Sequence, residues 1–442
     1  MFFVILICRI TAGLLSLLGR GSSLPGAVAL KLAPNILKKM KLPDLIIAVT
    51  GSNGKTSTTE LIYELAKKTG KTVICNQEGS NQTEGVATLF IKNAGIFGKV
   101  KADIAVIESD ERFCQYTFRH FAPHYIVVTN LFRDQMTRNG HNEFVYEELK
   151  KGLPSITTLI LNADEPLSAS LGHKRGNVVY FGIDPLAFQE LKPADRVFDD
   201  GCHCPVCGAY MAYNYRLHHH LGDYYCKSCD YCRPAPLHSV TALTGRNFVL
   251  DGIYDIRPQM INSMFAANIS AAFSAGVEAL GLTGELISET LDGYIMKNNR
   301  IRRFLTNGHR GIFMLSKHEN TMSYDGAIEN VVNSRSKEKT VVVIFDLLSR
   351  KYIANDISWL WDINFELLKN ERVKKIILSG CFAYDLATRF EFTGIDSKII
   401  SVQPDVRVMA SSLGSMASGE IFVMTCFTDV DGFASRLRGD FE

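Results

Sequence analysis

One heptapeptide constrains the chain more than any other feature. Thr50-Gly51-Ser52-Asn53-Gly54-Lys55-Thr56 follows the apolar, β-branched run Leu45–Val49. It opens a segment, Thr56 to Thr69, in which Leu61, Ile62, Leu65 and Ala66 recur at helical spacing. A strand that ends in a glycine-rich turn and passes into a helix is the layout of a phosphate-binding loop. Glycines let backbone N–H groups turn toward phosphate oxygens without a Cβ clash. The helix N-terminus adds the positive end of its dipole. Lys55 can reach the β- and γ-phosphates of ATP, and the Thr56 hydroxyl can ligate Mg²⁺. The usual spacing has glycine at position 49, where this chain has Val49. The loop is therefore a variant, identified by its strand–loop–helix context.

Further apolar runs at Ile104–Ile107, Tyr125–Thr129, Thr158–Leu161 and Val178–Phe181 read as strands, with helical segments between most of them. Strand alternating with helix predicts a largely parallel α/β sheet. An Ala-rich helix is expected over Asn262–Leu280. A second α/β set follows, with strands at Gly311–Leu315, Thr340–Phe345, Lys375–Leu378 and Ile421–Thr425. At about 150 residues per domain, 442 residues suggest three units. These are an N-terminal helical and loop segment (1–44), a central ATP-binding domain (45–305) with an insertion at 201–234, and a smaller Rossmann-like α/β domain (306–442). Hydrophobic residues at 46% exclude a disordered chain. A formal net charge of +2 gives no bulk electrostatic case for nucleic acid.

Of 11 cysteines, six lie between Cys202 and Cys232; Cys8, Cys75, Cys114, Cys381 and Cys426 are scattered. An odd count with one tight cluster reads as reduced thiols plus a metal site, and hence a cytoplasmic chain. Cys204-Pro205-Val206-Cys207 and Cys226-Lys227-Ser228-Cys229 are paired C-x₂-C knuckles at zinc-ribbon spacing. Four thiolates close a tetrahedral Zn²⁺ site and leave no position for water, so the role expected is structural. Cys202, His203 and Cys232 flank the knuckles, and exchange of a ligand with Cys202 or Cys232 stays open. His218-His219-His220 invites a second metal site. Adjacent residues of a strand point to opposite faces, so a surface or packing role is expected instead. At the N-terminus, Arg9 interrupts the apolar run from Phe2, which leaves no stretch of about 20 apolar residues to span a bilayer. Two readings stand there: an amphipathic helix docked on the protein, and a helix lying on a membrane surface or partner.

The loop Thr-Gly-Ser-Asn-Gly-Lys-Thr resembles that of the Mur ligase superfamily, whose members use ATP to activate a carboxylate as an acyl phosphate for attack by an amine. The resemblance implies nucleotide contacts from Gly51, Ser52, Asn53, Gly54, Lys55, Thr56 and Ser57. It implies Mg²⁺ ligation by Thr56 and by Glu108. A carboxylate at a strand's C-terminal end, opposite a phosphate loop, also suits metal–phosphate chemistry. Asn162-Ala163-Asp164-Glu165-Pro166 resembles the superfamily's Asn-Ala-Asp-Asp segment near the nucleotide, and implies contacts from Asn162 and Asp164; Asn268 joins the same set. Arg300, in Asn299-Arg300-Ile301-Arg302-Arg303-Phe304, matches an arginine that meets phosphates at the domain boundary. The UDP-binding domain of other Mur ligases has no counterpart in residues 1–44, which argues against a UDP-linked substrate recognised in that way.

Several segments are similar to the MurT family of ligase subunits: Gly21-Ser22-Ser23-Leu24-Pro25-Gly26, the run Val128–Met136 and the Cys-rich insertion. The resemblance implies a heterodimer with a GatD-type glutaminase that releases ammonia. The ligase would phosphorylate the α-carboxylate of D-glutamate in the stem peptide of lipid II, at the inner face of the membrane. Ammonia would then displace phosphate and leave D-isoglutamine. Asp356-Ile357-Ser358-Trp359-Leu360-Trp361-Asp362 resembles the family's Asp-Val-Ser-Trp-Ile-Trp-Asp, which places Asp356 beside Lys55 and Glu108 as a catalytic residue. The C-terminal half departs elsewhere. Lys317-His318-Glu319-Asn320 replaces Lys-Asn-Pro, Phe345-Asp346-Leu347-Leu348 replaces an Asn-Asp-Asn stretch, Ile353-Ala354 replaces Asp-Gly, and Phe382 stands where arginine is usual. The alternative implied is an amide ligase acting on another carboxylate.

Overall fold

The computed structural model describes the chain except residues 1, 17–22, 77–79, 136–138, 186, 188–199, 245, 298–300, 318, 347–356, 427–432, 434, 438 and 442. The first sheet begins with β1 (Leu45–Thr50), β2 (Val73–Cys75), β3 (Ile104–Glu108), β4 (Tyr125–Val128), β5 (Thr158–Asn162) and β6 (Val178–Ile183). A separate hairpin, β7 (Met211–His218) and β8 (Leu221–Cys226), interrupts it. Strands β9 (His238–Thr244), β10 (Asn247–Leu250) and β11 (Tyr254–Ile256) complete it in the order β11-β10-β9-β6-β5-β4-β1-β3-β2. From β9 to β2 the pairings are parallel, whereas β9–β10 and β10–β11 are antiparallel. The sheet is thus mixed, not uniformly parallel. Short connections after Thr244 and Leu250 leave room only for hairpins, and a parallel return needs a crossover of a dozen or more residues.

The second sheet contains β12 (Ile301–Thr306), β13 (His309–Ser316), β14 (Lys339–Ile344), β15 (Val373–Ser379), β16 (Ile400–Gln403), β17 (Glu420–Cys426) and β18 (Gly439–Phe441), in the order β16-β15-β14-β17-β13-β12-β18. Strands β13 to β17 pair in parallel, and β12 is antiparallel to both its neighbours.

Parallel strands must be covered on both faces, and their sequences show it. In β1 only Leu45 is partly exposed, and β14 is buried throughout. One face of the first sheet packs on helices 24–32, 83–92 and 142–151 through Ile46, Ala48, Phe90 and Leu149. The other face packs on helices Lys55–Lys67 and Ser263–Glu278 through Val49, Leu61, Ile62, Ala271 and Phe273. The second helix is small-residue rich and buried almost all round; it lies beside the first on the same face, over β5, β6 and β9, while the first covers β1, β2 and β3.

The N-terminal helix, Phe2–Ser16, buries Ile5, Cys8 and Ala12 on one face and leaves Phe2, Phe3, Leu6, Ile7 and Ile10 exposed. No helix among the described residues is long and apolar enough to cross a membrane.

Candidate active site

The turn between β1 and helix Lys55–Lys67 is held open by two glycines in conformations that other residues adopt at a cost. Gly51 has φ +121° and Gly54 has φ +80°. A Cβ on Gly54 would lie 2.0 Å from Asn268 Oδ1, so the loop and helix Ser263–Glu278 approach too closely for a side chain. The residues just after β4, the neighbouring strand, brace the loop. Asn53 N–H donates to Asn130 Oδ1 at 3.0 Å, and the Thr129 hydroxyl donates to the Asn53 carbonyl at 2.6 Å.

Lys55 is buried and curls back over the loop, donating to the Gly51 carbonyl and to Glu111 Oε2 at 2.8 Å. Burial works against its charge. Glu111, Asp134, Glu108 and Asp110 outweigh that effect and hold the ammonium above its ordinary pKa. Burial pushes the Glu111 carboxyl up, although Lys55 opposes the shift. Glu108, at the end of β3, is positioned by Asn81, whose Nδ2 donates to Oε1 at 3.0 Å, and by Asn76, which accepts from Glu108 N–H at 2.8 Å.

The opposite wall comes from the second sheet's unit. Lys317 donates to the Ser52 carbonyl at 2.6 Å and to Asp134 Oδ2 at 3.1 Å. Asn320 is fully buried, and its Nδ2 donates both to Asn53 Oδ1 and to Asp134 Oδ1 at 2.8 Å. Its Oδ1 accepts from Ser323 N–H at 2.9 Å and so caps helix Thr321–Asn333. The cleft between the two units has a volume of about 440 Å³. Asn53 through Ser57, Asn81, Glu108, Asp110, Glu111, Asp134 and Asn268 line it on one side, and Ser316, Lys317, Met322 and Ser323 on the other.

The residues named from the sequence fall in three places. Asn53, Gly54, Lys55, Thr56, Ser57, Glu108 and Asn268 line this cleft; Gly51 and Ser52 shape the loop behind it. Asn162 and Asp164 lie elsewhere, beneath the Cys-rich insertion. Asn162 Nδ2 donates to the Thr129 carbonyl at 2.9 Å. Asp164 accepts two bonds from Arg233, at 2.8 and 2.7 Å, and one from Ile183 N–H at 2.8 Å. Arg300 and Asp356 lie outside the described residues. Asp362, at the end of the tryptophan motif, pairs with Arg133 at 3.2 Å and so ties that motif to the central unit. Glu111, Asp134 and Lys317 of the cleft, and Asn320 buried in the joint behind it, are residues that sequence reasoning missed. Asp134 lies in a segment singled out for its family likeness, and Lys317 opens one singled out for departing from it.

In the insertion, Cys204, Cys207, Cys226 and Cys229 bring their sulfurs within 4.8 Å of one another. Val206 N–H and Ser228 N–H each point at a knuckle sulfur, at 3.4 Å. Four converging thiols with backbone donors aimed at them fit a tetrahedral thiolate site. The insertion sits on residues 163–166. Tyr224 donates to the Ala163 carbonyl at 3.0 Å, and Tyr231 to the Pro166 carbonyl at 2.6 Å. The three histidines are at the hairpin turn and are largely buried. His220 packs on Phe132 with the rings tilted and faces Glu165 at 3.4 Å, while His218 and His219 face the second unit.

A phosphate loop, a carboxylate-lined cleft and a closing α/β unit are the parts of an ATP-dependent ligase of the Mur type. The Mur ligase middle domain matches residues 49–216, and the MurT ligase C-terminal domain matches residues 318–430. The fold agrees. A pseudomurein peptide ligase type C from Methanothermus fervidus superposes with a TM-score of 0.67 at 20% identity, covering 91% of this chain and 79% of that one. MurF from Acinetobacter baumannii gives 0.60 at 14% identity, over 93% and 80%. Two relatives are each named lipid II isoglutaminyl synthase (glutamine-hydrolyzing) subunit MurT. That of Staphylococcus aureus (strain COL) is 29% identical over 427 residues, and that of Streptococcus pneumoniae (strain ATCC BAA-255 / R6) is 29% identical over 438 residues. Each alignment covers 96% of this chain and 94% of the relative. The chain thus carries a Mur ligase middle domain and a MurT ligase C-terminal domain, and it is similar to MurT subunits over nearly its whole length.

Proposed function

We propose that this chain is the ligase subunit of a lipid II isoglutaminyl synthase, a carbon–nitrogen ligase that takes its nitrogen from glutamine. The reading rests above all on the full-length similarity to the MurT subunits, and the cleft supplies chemistry in keeping with it. A carboxylate does not react with ammonia at neutral pH until it carries a leaving group. ATP would supply that group by phosphorylating the α-carboxylate of D-glutamate in the lipid II stem peptide. Lys55 would move from Glu111 to the transferring phosphoryl group and stabilise its charge. Thr56 and Glu108 would hold Mg²⁺, which neutralises charge on the phosphates. Ammonia from a GatD-type glutaminase partner would then displace phosphate and leave D-isoglutamine. Lys317 and Asn320 would report closure of the second unit, since both touch the loop that cradles phosphate. Asp356 is proposed to complete the catalytic site with the partner, and Arg300, Asn162, Asp164 and Asn268 to serve the nucleotide. Zn²⁺ would sit in the four-cysteine ribbon as a structural ion. The exposed apolar face of the N-terminal helix, with Phe3 74% exposed, suits a peripheral position at the cytoplasmic membrane face, where lipid II lies.

The test is amidation of lipid II by the purified chain with ATP and ammonium, and then with a glutaminase partner and glutamine. A product in which an amino group replaces a hydroxyl, at the cost of one ATP, is the expected result. The second reading, an amide ligase for another carboxylate, is favoured by Phe382 in the place of an arginine that would bind a carboxylate or phosphate. ATP binding without amidation under either condition would select it. For the ribbon, Cys204→Ser with Cys207→Ser should lose about one zinc per chain and destabilise the insertion; unchanged zinc content would remove the ion from the site.

A further inference from the structure

The hairpin that carries the ribbon cysteines ends in a turn that does something a strand cannot. Successive side chains of a strand diverge to opposite faces. His219 instead adopts φ +49°, an uncommon conformation for a residue with a Cβ. The turn swings the His218 and His219 rings together, with centroids 4.3 Å apart, and aims both at helix Thr321–Asn333 of the second unit. There they meet one carboxylate. Asp325 Oδ2 is 2.9 Å from His219 Nε2 and 3.5 Å from His218 Nε2. Asp325 is fully buried, and the His218 side chain is 8% exposed.

We propose that His218, His219 and Asp325 form a second divalent-metal site, distinct from the cysteine ribbon, that clamps the ribbon to the C-terminal unit. Three features beyond proximity carry this. First, His218 Nε2 is buried without a hydrogen-bond partner. Its 3.5 Å separation from Asp325 Oδ2 is long for a hydrogen bond, yet close to the spacing of about 3.4 Å between ligands of one tetrahedral zinc shell. Second, the outer groups that orient ligands are in place. Glu329 Oε1 lies 3.2 Å from the other nitrogen of His218, and Asn364 N–H donates to Asp325 Oδ1 at 2.9 Å. A carboxylate on the far nitrogen of a ligating histidine fixes its tautomer and raises its basicity. Third, the charge balances. A divalent cation would offset the two carboxylates, Asp325 and Glu329, that face the histidine pair from one helix. Imidazole and carboxylate donors suit Zn²⁺ and its late first-row neighbours.

The site joins two elements distant in sequence and lies on a different contact from Lys317 and Asn320. An ion there would bind only the closed arrangement and would stabilise it by mass action. The measurement is metal content of the full chain after equilibration with zinc, for the wild type, His219→Gln and Asp325→Asn. About one equivalent fewer per chain in each variant, with the thiolate-bound zinc retained, is expected. Cobalt substitution separates the two sites, because only the ribbon gives thiolate charge-transfer bands. Wild-type protein should show an added set of d–d bands without them, and each variant should lack that set. Equal metal content in all three proteins, or only thiolate-type cobalt bands in the wild type, would overturn the proposal. The cobalt spectrum of the wild type alone decides it if a variant fails to fold.

Discussion

Asn320 joins the two units, and its two jobs can be separated by substitution. Its Nδ2 donates to Asn53 Oδ1 and Asp134 Oδ1, both at 2.8 Å and both across the joint. Its Oδ1 caps its own helix. A neutral hydrogen bond is worth about 1 kcal/mol and one to a carboxylate about 1.5–3 kcal/mol. The joint therefore loses about 2.5–4 kcal/mol in Asn320→Ala, and the helix loses about 1 kcal/mol more with its cap. Asn320→Asp keeps a capping oxygen but turns a carboxylate oxygen toward Asp134 and Asn53. It should lose the joint and spare the helix. At 1.4 kcal/mol per factor of ten, opening of the joint should rise by roughly 10²- to 10³-fold in both variants. The assay is hydrogen exchange of the amides of residues 51–56, read beside those of helix Thr321–Asn333. Faster exchange in the loop for both variants, and in the helix for Asn320→Ala alone, is expected. Unchanged loop exchange in Asn320→Asp would refute the argument that these two bonds hold the joint.

Three further outcomes are expected. Lys55→Met should abolish ATP turnover. It should also destabilise the central unit by about 3–5 kcal/mol, because Glu111 is left charged and buried; near-normal turnover would remove Lys55 from the chemistry. Arg233→Met strands Asp164 in the same way, at a similar cost of about 3–5 kcal/mol, and Arg233→Lys should recover part of it; an unchanged melting temperature would show that the insertion is not anchored there. His238 is half-buried, and burial would lower its pKa, but Asp251 at 2.8 Å and Glu278 at 3.5 Å raise it overall. Its contribution is complete below the ordinary value of 6.5 and is lost as pH rises through the raised one. The gap in melting temperature between wild type and His238→Gln should accordingly narrow above about pH 6.5, and a pH-independent gap would contradict the pairing.

Elements that are buried on both faces were legible in the sequence. Leu45–Thr50, Ile104–Glu108 and Lys339–Ile344 are rich in β-branched residues because both their faces are covered. The hairpin strands β7 and β8, and β9 to β11, were not legible. They mix tyrosine, histidine and threonine, their burial does not alternate cleanly, and their partners are set by short turns. The loop side of the cleft could be read from the glycine spacing, since that spacing answers to local backbone geometry. The opposite wall could not. Nothing local to Lys317 or Asn320 says that they reach Ser52 and Asn53, more than 260 positions away in sequence. The convergence of His218 and His219 on one helix was hidden for a local reason: alternation assumes an unbroken strand, and one residue at φ +49° cancels it.

The pairing of Lys55 with Glu111 gives the loop a preference among anions that its glycines alone do not. Lys55 already has a carboxylate within 2.8 Å, so an incoming anion must take it over and strand Glu111 in the same buried wall. A lone monovalent anion gains one ammonium contact and abandons one carboxylate, an exchange with nothing left over. A triphosphate that arrives with its own divalent counter-ion brings many acceptor oxygens for the lysine and positive charge for the abandoned glutamate. Discrimination in favour of a metal–nucleotide complex, and against chloride or acetate, would thus rest on one buried acid.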